Sequence, residues 1–154
     1  LFRSGGLDVA LAADIRLAAG NATFCVKEID IGMVADVGTL QRLHHVVGDG
    51  RARELALTGR QIDAEEAERI GLVTQVLPDK EILLSAASEL AGMLAGKSPL
   101  ALRGTKQVLN YSRDHSVAEG LEQVAHWNAA MLISSDIQAA VMAQMQGQTP
   151  VFAD

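Results

Sequence analysis

The stretch from Lys27 to Leu43, KEIDIGMVADVGTLQRL, constrains the fold more than any other part of the 154-residue sequence. Gly32 lies between two acidic residues, Glu28 and Asp36, and lets the backbone turn so that both carboxylates can face one pocket. The apolar positions after Gly38 have the spacing of an amphipathic helix, whose first amide groups point back toward that pocket. Two carboxylates in a pocket that excludes water are suited to moving protons on and off carbon.

Elsewhere the first half of the sequence favours short strands and the second half favours helices. The predicted strands are residues 14–17, 23–26 and 72–76, and the main predicted helices are residues 7–13, 51–57, 80–95, 99–111 and 137–146. Capping residues set several helix starts, namely Asp63 with Glu66, Ser98 before Pro99, and Ser116 with Glu119. An α/β sheet layer followed by a helical region is therefore expected.

Composition excludes several classes of partner. The net charge is -6, aromatic residues make up 3%, and no stripe of basic residues is present, so nucleic acid and anionic membranes are poor partners. No apolar run approaches the roughly 20 residues of a membrane span. The single cysteine, Cys25, lies in an apolar run and is predicted to be a buried, inert thiol in a reducing compartment. No metal site is predicted, because His44 and His45 are adjacent and point in different directions on a helix.

Each acidic residue also has a purely structural interpretation. Asp8 suits the first turn of a helix, where the helix dipole favours a negative charge. Asp36 can N-cap the helix that follows it, and Glu28 can pair on the surface with Lys27 or with an arginine. Gly5-Gly6 is either a turn that needs positive φ or a helix start whose amide faces developing negative charge. The spacing alone leaves these alternatives open.

Six short motifs stand out along the chain: GGLD at 5–8, DIR at 14–16, Glu28, TLQRL at 39–43, GLV at 71–73 and KSP at 97–99. Together they resemble the crotonase (enoyl-CoA hydratase/isomerase) superfamily, over nearly the whole chain from Gly5 onward. Within the superfamily, residues 27–43, residues 111–117 and Trp127-Asn128 are most similar to the Δ3,5-Δ2,4-dienoyl-CoA isomerases. The element ADVG at 35–38 is the discriminating part, because hydratases that resemble this chain usually carry small residues there.

The resemblance implies an α/β, crotonase-like fold. Residues 1–96 would form the C-terminal part of the core, a spiral sheet layer of ββα units that is incomplete here. Residues 97–154 would form a helical oligomerisation region that packs in trimers, commonly paired into hexamers. The resemblance also implies that this chain is the C-terminal part of a longer protein, and Leu1 to Ser4 depart from the small, glycine-rich approach that the family usually has there.

The implied function is isomerisation of 3,5-dienoyl-CoA to 2,4-dienoyl-CoA through an oxyanion-stabilised dienolate, as part of fatty-acid β-oxidation. Glu28 would act at C2, Asp36 at C6, and Asp8 would support the site electrostatically. Gly5 and Gly6 would form the oxyanion and substrate-binding element. The alternatives are an enoyl-CoA hydratase and a non-catalytic remnant that binds acyl-CoA or assembles with partner chains.

Further expectations follow from the same resemblance. Phe152 would contact the acyl-CoA, the substrate would be an acyl-CoA thioester, and coenzyme A would be part of that substrate, so that no separate cofactor is needed. The chain ends Phe152-Ala153-Asp154 without a Ser-Lys-Leu peroxisomal signal, so a bacterial cytoplasmic enzyme is expected.

Overall fold

The computed structural model describes residues 3–153, and it has helices joined by very short strands. The helices are α1 (Arg3–Ala12), a 3₁₀-helix (Glu28–Ile31), α2 (Thr39–Val47), α3 (Asp49–Thr58), α4 (Ala64–Arg69), α5 (Lys80–Ala95), α6 (Pro99–Tyr111), α7 (Val117–Met131) and α8 (Ser135–Met145). The strands are β1 (Leu17–Ala19), β2 (Thr23–Phe24), β3 (Ile62–Asp63) and β4 (Gln75–Leu77). The chain divides into two compact units, Leu1–Ser88 and Glu89–Asp154.

The first unit contains two small sheets. Strands β1 and β4 are parallel, with Leu17 opposite Gln75 and Ala19 opposite Leu77. Strands β2 and β3 are antiparallel. The core lies among α1, α2, α3 and the strands, and its most buried members include Leu7, Leu11, Val26, Leu43, Leu55, Ile62, Ala67 and Leu72. Burial of these side chains removes apolar surface from water, which is the main stabilising term of such a unit.

Helix α1 begins earlier than the sequence predicts. The prediction starts the helix at Leu7 after a Gly-Gly turn, whereas α1 runs Arg3–Ala12 and includes both glycines. Neither glycine adopts positive φ, so the turn alternative for Gly5-Gly6 is wrong. Each glycine costs a helix roughly 1 kcal/mol relative to alanine. The apolar side of α1, with Leu7 and Leu11 both buried, offsets that cost by packing in the core.

The strands are also displaced from their predicted positions. The amides of Leu72 and Val73 both donate to the carbonyl of Ala67, 2.8 and 3.3 Å away, so these residues close the end of α4 instead of starting a strand. Strand β4 therefore begins at Gln75. Apolar residues next to a helix end can satisfy its carbonyls or join a sheet, and periodicity alone does not separate the two.

The second unit confirms the predicted helix caps. The Ser98 hydroxyl accepts from the amide of Ala101 at 3.1 Å, and Ser116 and Glu119 form a reciprocal capping box. Helix α5 has the predicted bounds. None of the helices in the described part of the chain combines the length and apolarity that crossing a lipid bilayer requires.

Candidate active site

Glu28 lies at the start of the 3₁₀-helix that follows β2. The side chain is half-buried, and its Oε2 atom is buried with no hydrogen-bond donor among the residues that the structure describes. The alternative in which Glu28 pairs with Lys27 is wrong, because Lys27 pairs with Asp30 instead. A buried carboxylate oxygen without a donor costs stability. Such an oxygen is a candidate for exchanging a proton with a bound molecule.

The C-terminus of α3 supports the turn that carries Glu28. Gly59 caps α3 with φ of 61°. A Cβ atom on Gly59 would lie 2.8 Å from Ile29 Cγ2 and 3.0 Å from Asp30 Oδ1, which leaves no room for a larger residue. The close approach of this glycine therefore sets the position of the 3₁₀-helix on α3.

An ion-pair network holds the chain immediately after Gly59. The Arg60 guanidinium donates to Glu54 Oε1 at 2.5 Å and to both carboxylate oxygens of Glu66 at 2.8 and 2.7 Å. Hydrogen bonds from Arg60 and then Arg51 lower the pKa of Glu54 to about 2. The same guanidinium lowers the pKa of Glu66. The network ties α3 to α4 and so keeps the Gly59 turn in place.

Asp36 is exposed, and the structure excludes it as the N-cap of α2. The N-cap is Gly38, which adopts φ of 100° and has no side chain to accept a hydrogen bond. The Arg42 side chain folds back over Gly38 and donates to the carbonyl of Val37 at 3.2 Å. The segment that holds Asp36 is thus fixed by backbone and arginine contacts, and its carboxylate remains open to solvent or to a ligand.

Asp8 is buried, with 3% of its surface exposed. It is the sixth residue of α1, so the first-turn alternative is wrong. Its Oδ1 atom accepts from the Thr39 amide at 3.1 Å and also from the Thr39 hydroxyl. This pair of hydrogen bonds joins α1 to the start of α2, three residues after Asp36.

Gly5 lies in the first turn of α1. The first amides of a helix have no acceptor within the helix, and they point toward its positive end. An amide at such a helix start can donate to a negatively charged oxygen, which is what an oxyanion site needs. Both Gly5 and Gly6 are exposed, and a Cβ on either would meet nothing within 4 Å.

The segment between the two acids is apolar and open. It exposes the side chains of Ile29, Ile31, Met33 and Val34. A run of exposed apolar side chains marks a surface that a ligand or a partner covers. The carboxylates of Glu28 and Asp36 thus flank apolar surface, which suits an aliphatic ligand better than a polar one.

The remaining predicted residues are described by their own surroundings. Phe152 belongs to the second unit and is half-buried. Cys25 is a buried free thiol, as predicted. His44 and His45 are both exposed, and no cluster of three or more metal-ligating side chains occurs among the described residues.

Sequence reasoning missed two residues of this site, Thr39 and Gly59. Thr39 is 2% exposed, and its role depends on Asp8, 31 positions earlier in the chain. The available signal was the glycine that precedes Thr39. A glycine N-cap has no side chain to accept from the first amides of the helix, so another residue must supply the acceptor. Gly59 carried no signal beyond a helix end, since its contact with residues 29 and 30 exists only in the folded chain.

Comparison with known proteins identifies the family. Residues 2–154 match the family described as Enoyl-CoA hydratase/isomerase, and the chain belongs to that family. The chain is 50% identical over 149 residues to a peroxisomal Delta(3,5)-Delta(2,4)-dienoyl-CoA isomerase of Arabidopsis thaliana, covering 97% of this chain and 54% of that protein. It is 50% identical over 145 residues to the mitochondrial Delta(3,5)-Delta(2,4)-dienoyl-CoA isomerase of Homo sapiens, covering 94% and 44%.

The solved structures confirm the predicted fold class. The chain superposes on an enoyl-CoA hydratase from Bacillus anthracis with a TM-score of 0.93 and 32% identity, covering 97% of this chain and 57% of that one. The α/β, crotonase-like fold is therefore confirmed. The chain spans about half the length of the curated relatives that it matches.

The expectation of a bacterial cytoplasmic enzyme is wrong. The similar isomerases from Arabidopsis thaliana and Homo sapiens are peroxisomal and mitochondrial proteins of eukaryotes. The argument from the last three residues failed because a mitochondrial relative does not depend on a C-terminal peroxisomal address.

Proposed function

We propose that this chain supplies the acid/base half of an isomerase that converts 3,5-dienoyl-CoA to 2,4-dienoyl-CoA. The observation that carries the proposal is the buried Oε2 atom of Glu28, which has no donor among the described residues and lies in the same segment as Asp36. Similarity to dienoyl-CoA isomerases at about half identity supports it. The exposed apolar side chains between the two acids suit an acyl chain.

The proposed reaction removes a proton from C2 of the acyl chain and adds another at C6. The Glu28 carboxylate removes a proton from C2, and the electron pair passes into a dienolate whose negative charge rests on the thioester oxygen. The Gly5 amide, at the positive end of α1, stabilises that oxygen. Asp36 then donates a proton to C6, and the double bonds at C3 and C5 become double bonds at C2 and C4. Glu28 ends protonated and Asp36 ionised, and exchange with solvent restores both. Only protons move, so no cofactor beyond the coenzyme A of the substrate is proposed.

The test uses the full-length protein and 3,5-octadienoyl-CoA, with the 2,4-dienoyl product followed by its ultraviolet absorbance. Glu28→Gln is expected to lose both isomerisation and deuterium exchange at C2. Asp36→Asn is expected to lose at least about 100-fold in isomerisation, the usual contribution of a general acid, and to keep C2 exchange. Glu65→Gln, an exposed acid in α4, is the matched control and is expected to behave as the wild type. Full isomerisation by Asp36→Asn would contradict the role of Asp36.

An enoyl-CoA hydratase is the second candidate, favoured by the close superposition on a hydratase structure. Hydratases that resemble this chain place at position 8 a glutamate that handles water. In this chain the residue at that position is Asp8, which has a shorter side chain. One of its carboxylate oxygens already accepts hydrogen bonds from the Thr39 amide and hydroxyl. Hydration of 2-enoyl-CoA without isomerisation would establish the hydratase. A folded protein with neither activity would leave the binding or assembly role.

We also propose that residues 97–154 form an oligomerisation region of a trimer or a hexamer. The support is the apolar surface of this part of the chain, where Leu109, Val117, Leu121, Leu132, Ile133 and Met145 are all well exposed. Sedimentation of the full-length protein tests this, and a monomer at micromolar concentration would exclude it. Phe152 stays a proposed acyl-CoA contact.

A further inference from the structure

Asp8 and Thr39 form a buried polar link between α1 and α2. Both donors of Thr39, its amide and its hydroxyl, converge on the same oxygen of Asp8. The two residues are 3% and 2% exposed. A buried carboxylate with two donors on one oxygen is held in a single orientation, and removing a donor leaves the charge less well satisfied.

The position of this link gives it a consequence beyond stability. Helix α1 carries Gly5 in its first turn, and α2 starts immediately after the segment of Asp36. The N-cap of α2 is Gly38, which makes no side-chain cap hydrogen bond. The Asp8 carboxylate therefore takes the place of a cap, and it does so from another helix. The start of α2, and with it Asp36, is located relative to α1 by this link.

We propose that Thr39 is a positioning residue of the site, which fixes Asp36 relative to the Gly5 amide by holding Asp8. The inference rests on the proposed function, since Asp36 and Gly5 are given their roles there. In this arrangement Asp8 exchanges no proton with the substrate. Loss of the Thr39 hydroxyl loosens the segment of Asp36 and slows delivery of the proton to C6. Removal of the C2 proton by Glu28 is affected less, because the 3₁₀-helix of Glu28 is supported separately by Gly59.

The experiment compares Thr39→Val and Thr39→Ser in the full-length protein. Valine has nearly the shape of threonine and lacks the hydroxyl, whereas serine keeps it. Thr74→Val is the matched control, because the amide and hydroxyl of Thr74 likewise converge on one oxygen, the carbonyl of Arg16, at 2.8 Å each. The readouts are kcat and KM for isomerisation and the rate of deuterium exchange at C2. Thermal unfolding shows that each variant is folded.

The expected result is a fall of about tenfold or more in the kcat of Thr39→Val, the size expected for losing a hydrogen bond to a charged group. KM stays within about twofold, C2 exchange falls less than isomerisation, and Thr39→Ser and Thr74→Val stay close to the wild type. If Thr39→Val does not fold, Thr39→Cys, with a thiol that donates weakly, replaces it with the same expectation.

Two outcomes overturn the inference. One is a Thr39→Val enzyme with unchanged kcat. The other is an equal loss of isomerisation and C2 exchange that serine does not rescue, which would mean a general structural role. A wild-type protein without isomerase activity would instead overturn the proposed function, so the two failures are distinguishable.

Discussion

Replacing Gly59 by alanine is expected to reduce catalysis by displacing Glu28, without changing Glu28, Asp36 or Asp8 themselves. The new Cβ atom would lie 2.8 Å from Ile29 Cγ2. Carbon atoms in contact prefer about 3.5 Å or more, so one side must move by about 0.7 Å. Ile29 is β-branched and stiff at χ1, so much of this movement passes to the backbone of the 3₁₀-helix. A misplacement of about 1 Å in a catalytic group can cost about 100-fold in rate.

The experiment must distinguish backbone strain at position 59 from displacement of Glu28. Alanine at a φ of 61° also costs roughly 1–2 kcal/mol of stability, wherever it occurs. Gly71→Ala is the matched control, because Gly71 has φ of 78° in the same unit and its Cβ would meet only the Val46 carbonyl at 3.7 Å. Both variants are expected to lose unfolding free energy from the positive φ in urea titrations, and Gly59→Ala is expected to lose more because of its contact with Ile29.

Only Gly59→Ala is expected to lose kcat, by about 10- to 100-fold, in the dienoyl-CoA isomerisation assay with the full-length protein. C2 deuterium exchange falls in parallel, because Glu28 performs that step in the proposed mechanism. Equal kcat values for Gly59→Ala and Gly71→Ala would refute the reasoning, since they would show that the contact with the 3₁₀-helix does not position Glu28.

Three further predictions concern stability. The folded-state pKa of Glu54, about 2, lies below its unfolded value of about 4.5, so its contribution to stability is complete above pH 4.5 and is lost as the pH falls toward 2. Arg60→Gln should make this acid dependence of the unfolding free energy shallower. A hydrogen bond to a backbone carbonyl, with a smaller effect of a neighbouring carboxylate, raises the pKa of His115 above 6.5. The stability from this histidine is therefore present below pH 6.5 and lost as the pH rises through the folded pKa, and His115→Gln should remove that slope. Gly104→Ala would place a Cβ 2.3 Å from Trp127 Nε1, and it should cost about 1–3 kcal/mol by overpacking and shift the fluorescence of this single tryptophan.

The sequence by itself determined the features that depend on short stretches of chain. The caps at Ser98 and Ser116 and the bounds of α5 are local patterns, because a capping side chain and its amide lie within a few residues of each other. The family was also predicted from short motifs, and the fold class was predicted from the family. The burial of Cys25 followed from its apolar neighbours.

Only the tertiary structure decided how the site is held together. Whether Asp36 caps α2 depends on the conformation of Gly38 and on Asp8, which lies on another helix. Whether Glu28 pairs with Lys27 depends on Asp30, which forms an ion pair with Lys27 in the folded chain. The local sequence permits both alternatives in each case, so long-range contacts choose between them.

The same reason explains the displaced strands. Leu72 and Val73 are apolar residues typical of a strand, but their amides donate to the Ala67 carbonyl at the end of α4. Parallel pairing with β1 therefore starts only at Gln75. Strands of two or three residues carry little periodic signal. Their positions follow from the helices packed around them, which no short stretch of sequence records.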